Sequence, residues 1–104
     1  MKVIIGIDVG GSTTKIVGFE RSGKLIEPIF VKANDPITAV YGAFGKFTDE
    51  NQLELKNIEK VMVTGVGSSY LTKPLYGLEC HHVSEFNCIG LAVFICRDLT
   101  KQLL

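Results

Sequence analysis

The chain has few cysteines, no excess of charge of either sign and no long hydrophobic run, and each shortage excludes something. The cysteines are Cys80, Cys88 and Cys96, with no Cys-x-x-Cys pair among them. An odd count without a signal peptide argues against a disulfide scaffold and predicts a reduced, cytoplasmic chain. Basic and acidic residues balance at 11 each, so the formal net charge is zero. That predicts neither a nucleic-acid surface nor an anionic membrane as partner. The longest apolar run, Cys88 to Cys96, is too short to span a bilayer. Met1-Lys2-Val3 reads as strand, not as a targeting segment. With 46% hydrophobic residues the chain is globular in composition, and 104 residues admit one domain with a real core.

The most informative stretch is the first fifteen residues. Val3-Ile4-Ile5-Gly6-Ile7 has the β-branched character of a strand buried on both faces, and it delivers Asp8 to the strand end. The chain then turns through Gly10-Gly11-Ser12-Thr13-Thr14 to Lys15, and a second apolar run, Ile16-Val17-Gly18-Phe19, follows. This predicts a β-hairpin whose turn cradles phosphate. A carboxylate at a strand end suits Mg²⁺, held through water or phosphate. Gly10 and Gly11 can adopt positive φ and let a ligand approach the backbone, whose successive N–H groups form an anion-binding concavity. Ser12, Thr13 and Thr14 add hydroxyl donors, and Lys15 adds a point charge. The pattern differs from the Walker loop, which joins a strand to a helix. A Gly-Gly hairpin turn is ordinary by itself; the aspartate, the hydroxyls and the lysine around it give it chemical meaning.

Further along, Leu25 to Val31 reads as a third strand, completing an antiparallel meander, and Pro28 places that strand at an edge or at a bulge. Asp35 and Pro36 start a helix as N-cap and first helical residue. Ile37, Val40, Tyr41, Phe44 and Phe47 give it an apolar face, which predicts core packing, and the polar stretch Thr48 to Asn57 ends it. Gly42 and Gly45 either weaken this helix or let it pack closely. Val61 to Thr64 is a short strand, followed by Gly65-Val66-Gly67-Ser68-Ser69, the kind of turn found where α/β sheets bind ligands, though equally a plain connection. Glu79 to Val83 is extended, and His81 and His82 point to opposite faces, a poor start for a metal site. Ser84 then caps a helix that runs from Glu85 to near the end. Its stretch Cys88 to Cys96 is apolar all round, so it is buried on every side or wants a partner. Glu85 is either a routine first-turn glutamate or a general base for phosphoryl transfer.

Gly6-Ile7-Asp8-Val9-Gly10-Gly11-Ser12-Thr13-Thr14-Lys15 resembles the first phosphate loop of the actin-like ATPase superfamily, which includes sugar kinases, heat-shock chaperones and actin. Two families within it fit. Val63-Thr64-Gly65-Val66-Gly67 and Ser84-Glu85-Phe86-Asn87-Cys88-Ile89-Gly90-Leu91 look like the type II pantothenate kinases, over about residues 3 to 91. That resemblance implies ATP and Mg²⁺ as cofactors and phosphorylation of pantothenate, the first step of coenzyme A biosynthesis. It implies Glu85 as catalytic base, and Asp8, Gly10, Gly11, Ser12, Thr13, Thr14, Lys15, Gly65 and Gly67 as nucleotide-binding residues. The activator ATPases of 2-hydroxyacyl-CoA dehydratases, with a Gly-Ser-Thr-Thr-Lys loop, are the alternative. They typically show Cys-His before a glycine and hold an iron–sulfur cluster between subunits; here Ile89 follows Cys88.

The fold the resemblance implies is α/β, the N-terminal part of an actin-like (ribonuclease H-like) lobe: a three-strand antiparallel meander, then parallel strands and helices. The kinase pattern of a second phosphate loop and an adenosine-binding half does not follow Leu91. Residues 1–104 are therefore expected to be an incomplete lobe, a shortened kinase with little activity alone, in which two copies associate through the terminal helix. A non-catalytic interaction module that kept this fold is the third reading.

Overall fold

The computed structural model describes residues 2–20, 22–32 and 34–83. Strand β1 (Val3–Val9) is the centre of the sheet, and its residues are buried on both faces except Asp8. It pairs antiparallel with β2 (Thr13–Glu20), which pairs antiparallel with β3 (Leu25–Lys32). On its other side β1 pairs in parallel with β4 (Ile58–Thr64), which pairs in parallel with β5 (Cys80–His82). The order across the sheet is β3-β2-β1-β4-β5, so the expected meander and the expected parallel strands are both present. Pro28 satisfies both of its predicted settings. β3 is an edge strand, and Glu27 and Pro28 together stand opposite Val17, between the pairs Ile16–Ile29 and Gly18–Ile26.

Helix α1 (Pro36–Glu50) covers one face of the sheet. Its start is capped as the sequence predicts. Asp35 is extended, and its Oδ2 accepts from the Thr38 N–H at 2.8 Å and the Thr38 hydroxyl at 2.7 Å. Val40, Ala43, Phe44 and Phe47 pack against Val3, Ile5, Ile7, Val9, Ile16, Val61 and Val63. Alternation along each strand sends the intervening residues Ile4, Val17 and Met62 to the opposite face, where Phe19 and Val83 join them. Gly18 leaves the room that Phe47 fills: a Cβ there would lie 2.6 Å from the ring's Cζ.

The helix departs from expectation at Tyr41 and at its C-terminal end. Tyr41 is at the margin of the apolar stripe and partly exposed; Tyr76 packs against it edge-on at 5.0 Å and stacks on Phe44 at 5.2 Å. Gly42 and Gly45 serve no close packing, since a Cβ at either would meet no atom within 4 Å. The polar residues Thr48 to Glu50 remain helical, the Thr48 hydroxyl donating back to the Phe44 carbonyl at 2.9 Å, and the chain leaves the helix at Asn51 before Leu53 turns into the core. β4 likewise begins three residues before the predicted Val61, because Ile58 pairs with Val3. The predicted helix from Glu85, with Cys88 and Cys96 and the self-association assigned to it, lies outside the described residues. Among the described residues no helix is long and apolar enough to cross a membrane.

Candidate phosphate-binding site

Cross-strand register brings the predicted residues together at one edge of the sheet. Asp8 stands directly opposite Lys15 on β2 and, in the parallel pairing, opposite Thr64 on β4; Lys15 in turn stands opposite Phe30 on β3. Directly paired residues share a face, so Phe30, Lys15, Asp8 and Thr64 form one row across four strands, on the face away from α1. The row lies at the carboxyl ends of β1 and β4, where the loops after parallel strands open and α/β sheets take their ligands. The Lys15 ammonium lies over the Phe30 ring, 5.8 Å from its centroid.

The turn above the row is built differently from expectation. Gly10 and Gly11 are not in the left-handed region. Gly10 is required for another reason: its N–H donates to the Thr13 carbonyl at 3.0 Å, and a Cβ on it would lie 2.5 Å from that same oxygen. Its N–H is therefore directed into the turn, away from any anion above it. Gly11 and Ser12 are exposed at the tip, and a Cβ on Gly11 would meet no atom within 4 Å. Thr13 and Lys15 are half-buried. Thr14 is 1% exposed and pairs with Val9 and Val31, on the α1 face. Its hydroxyl is therefore on the other side of the sheet from Asp8 and Lys15.

Gly65 and Gly67 hold the second loop against the first. Gly65 has φ +98°, and a Cβ there would lie 2.6 Å from Asp8 Oδ1 and 2.8 Å from the Val9 carbonyl carbon. Gly67 donates its N–H to the Val9 carbonyl at 2.8 Å, and a Cβ on it would strike Val9 Cγ1 at 2.6 Å and approach Pro36 Cβ at 3.2 Å. Ser68 closes this loop by donating its hydroxyl to the Gly65 carbonyl at 2.7 Å. Both glycines thus have a packing reason, and through Gly67 the N-terminus of α1 abuts the same edge. Thr64 is the residue the sequence reading left out of the site. Its signal was available: it ends an apolar strand parallel to the one that Asp8 ends, and it is the sole buried polar residue of the described core besides Thr14.

The row does not coincide with the cleft of about 470 Å³ formed by Ser69, Leu71, Thr72, Lys73, Pro74, Glu79, Cys80 and His82. That cleft is around β5, and Cys80 and His82 are among the residues that line it. Burial pushes the Cys80 thiol up, and the His82 ring is tied to the Leu71 carbonyl at 3.1 Å. Among the described residues no three histidine, cysteine, aspartate or glutamate side chains group to hold a metal ion. A cation at Asp8 would accordingly draw its other ligands from water and phosphate, the habit of Mg²⁺, while an iron–sulfur cluster finds no ligand set among them. Glu85 lies outside the described residues.

No family model matches the sequence, and no curated protein matches it. Solved structures do. The chain is similar to the activator of the 2-hydroxyisocaproyl-CoA dehydratase from Clostridium difficile with bound ADPNP, at TM-score 0.68 and 21% identity, over 83% of this chain and 30% of that one. It is similar to component A of the Acidaminococcus fermentans (R)-2-hydroxyglutaryl-CoA dehydratase, at TM-score 0.66 and 14% identity, over 81% of this chain and 31% of that one. A ROK family transcriptional regulator, a homologue of the Escherichia coli MLC protein, matches at TM-score 0.61 and 12% identity, over 92% and 32%. The chain spans about 30% of the length of these structures. At such identities the likeness shows the fold alone: a mixed α/β sheet that matches the N-terminal part of the actin-like ATPase fold.

Proposed function

We propose that this chain is the phosphate-holding part of an ATPase of the type that activates 2-hydroxyacyl-CoA dehydratases. One observation carries the reading: Lys15, Asp8 and Thr64 share a face at the carboxyl edge of the sheet, beneath the exposed Gly11–Ser12 tip. A carboxylate, an ammonium and exposed backbone at one strand edge suit a magnesium-bound polyphosphate better than a neutral ligand. The structural likeness to two dehydratase activators, one of them holding an ATP analogue, favours this type over the pantothenate kinase that the sequence motifs put first.

MgATP supplies the phosphoryl group and, through the metal, the charge neutralisation that phosphoryl transfer needs. The residues present fit it. Asp8 would hold the metal through water or a phosphate oxygen. Lys15 meets phosphate as a point charge. The open space over Gly11 admits a phosphate close to the backbone, and Ser12 and Thr13 stand beside it as hydroxyl donors. Gly65 and Gly67 let the second loop pack against Asp8 and Val9, at the border of the row.

The test is a calorimetric titration of the 104-residue chain with MgATP, beside Asp8→Ala. Binding that Asp8→Ala abolishes supports the site, whereas a folded wild type that evolves no heat with MgATP overturns it. Phosphate appearing in solution during turnover is the expected product. Transfer of the γ-phosphate to added pantothenate would instead restore the kinase reading, in which Glu85 is the base; the Ser84-Glu85-Phe86 motif is what favours it.

A further inference from the structure

We infer that Thr64 is a positioning residue whose hydroxyl orients the Asp8 carboxylate for the metal. The inference rests on the phosphate-site reading and adds a component to it. Asp8 and Thr64 are direct partners in the parallel pairing of β1 and β4. Paired residues share a face and neighbouring strands are about 5 Å apart, so a hydroxyl on Thr64 is within reach of a carboxylate on Asp8. The carboxylate also leans to that side: its Oδ1 lies 2.6 Å from where a Cβ on Gly65, the residue after Thr64, would be.

Burial points the same way. Thr64 is 1% exposed, and a hydroxyl so deeply buried needs a hydrogen-bond partner. Among the described residues no buried side-chain oxygen or nitrogen lacks one. On this face of the sheet Met62 and Val83 belong to an apolar cluster, whereas Asp8, directly beside Thr64, carries a carboxylate. Valine has the shape of threonine without the hydroxyl and would suit that cluster better; the carboxylate next door accounts for the threonine. A carboxylate that accepts a hydrogen bond on one oxygen is fixed in orientation and keeps the other for the metal and its water. Outer partners of this kind orient metal ligands and tune them.

Wild type, Thr64→Val, Thr64→Ala and Thr64→Ser are titrated with ADPNP by calorimetry, with saturating Mg²⁺ and without it, at a temperature where each is folded. Thr64→Val and Thr64→Ala lack the hydroxyl, and both are expected to weaken binding in Mg²⁺ about tenfold, the lower end of what such partners contribute to metal affinity. Thr64→Ser keeps the hydroxyl and is expected to stay close to wild type. Without Mg²⁺ the four proteins are expected to bind alike, because the metal that Asp8 would hold is then missing. A side chain that only fills space would instead rank the variants by size, with Thr64→Val close to wild type and Thr64→Ser weakened beside Thr64→Ala. That result overturns the inference, as does unchanged affinity in all three variants or an equal loss with and without Mg²⁺. Failure of the wild type to bind ADPNP in Mg²⁺ overturns the phosphate-site reading itself, and this role for Thr64 with it.

Discussion

Asp8 and Gly65 are in contact across two strand ends: a single added carbon on Gly65 would lie 2.6 Å from the Asp8 carboxylate oxygen Oδ1. The glycine therefore fixes how closely the second loop approaches the residue proposed to hold the metal. It also has φ +98°, which an L side chain rarely adopts. Gly65→Ala should cost about 1–3 kcal/mol from the backbone conformation alone. It should also displace Asp8, so MgATP binding should fall by more than the loss of stability explains. Urea denaturation of Gly65→Ala beside calorimetry at a temperature where it is fully folded separates the two effects. Binding unchanged in a folded Gly65→Ala would remove Asp8 from the site.

Gly18 and Phe47 form a second close pair, this time with a purely structural consequence. The ring of Phe47 is fully buried and lies where the Gly18 Cβ would be. Phe47→Ala should destabilise the fold by about 3–5 kcal/mol, as large-to-small changes of buried aromatic residues do. Gly18→Ala should cost about 1–3 kcal/mol by overpacking, because the ring must move into a filled core. The check is a denaturation midpoint for each variant. A neutral Gly18→Ala would mean the ring has an alternative position.

Much of this architecture was legible in the first thirty residues, and the reasons are physical. A run such as Val3-Ile4-Ile5-Gly6-Ile7 is apolar at consecutive positions, which a central strand tolerates and an edge strand does not. Pro28 names its own edge because it cannot donate a ladder hydrogen bond. The grouping of Asp8 with Lys15 follows once the turn length is known. What sequence could not give was register across a parallel pair, so Thr64 was missed as Asp8's neighbour. Nor could it separate the threonines at the turn, since one residue of offset sends Thr14 to the opposite face from Thr13. Nor does sequence show that Gly65 and Gly67 face Val9 and Asp8, contacts between loops more than fifty residues apart in sequence.

Gly42 is an opportunity of the opposite kind. It is an exposed residue within α1, and a Cβ on it would meet nothing within 4 Å. Glycine in a helix interior loses more conformational freedom on folding than alanine does, so Gly42→Ala should stabilise the chain by about 0.5–1 kcal/mol. A raised urea midpoint with an unchanged slope is the expected result. A destabilised Gly42→Ala would show that this face of α1 packs against something.

Acid should act on α1 through its N-cap. Asp35 accepts hydrogen bonds from the Thr38 hydroxyl and the Thr38 N–H, and both hold its carboxyl below its ordinary value of 3.8. A carboxyl more acidic in the folded chain than in the unfolded one stabilises the fold at every pH above its unfolded value. That contribution shrinks as pH drops through the ordinary carboxylate range and is gone below the folded value, where the group is protonated in both states. Asp35→Ala should therefore lower the melting temperature at neutral pH and narrow toward wild type as the pH is taken below about 4. Asn at the same position caps a helix without titrating. Asp35→Asn should keep most of the neutral-pH stability and lose that residue's share of the acid dependence. Melting curves of the three proteins from neutral pH into that acid range check this, and parallel pH profiles for all three would mean that the cap contributes nothing to the acid response.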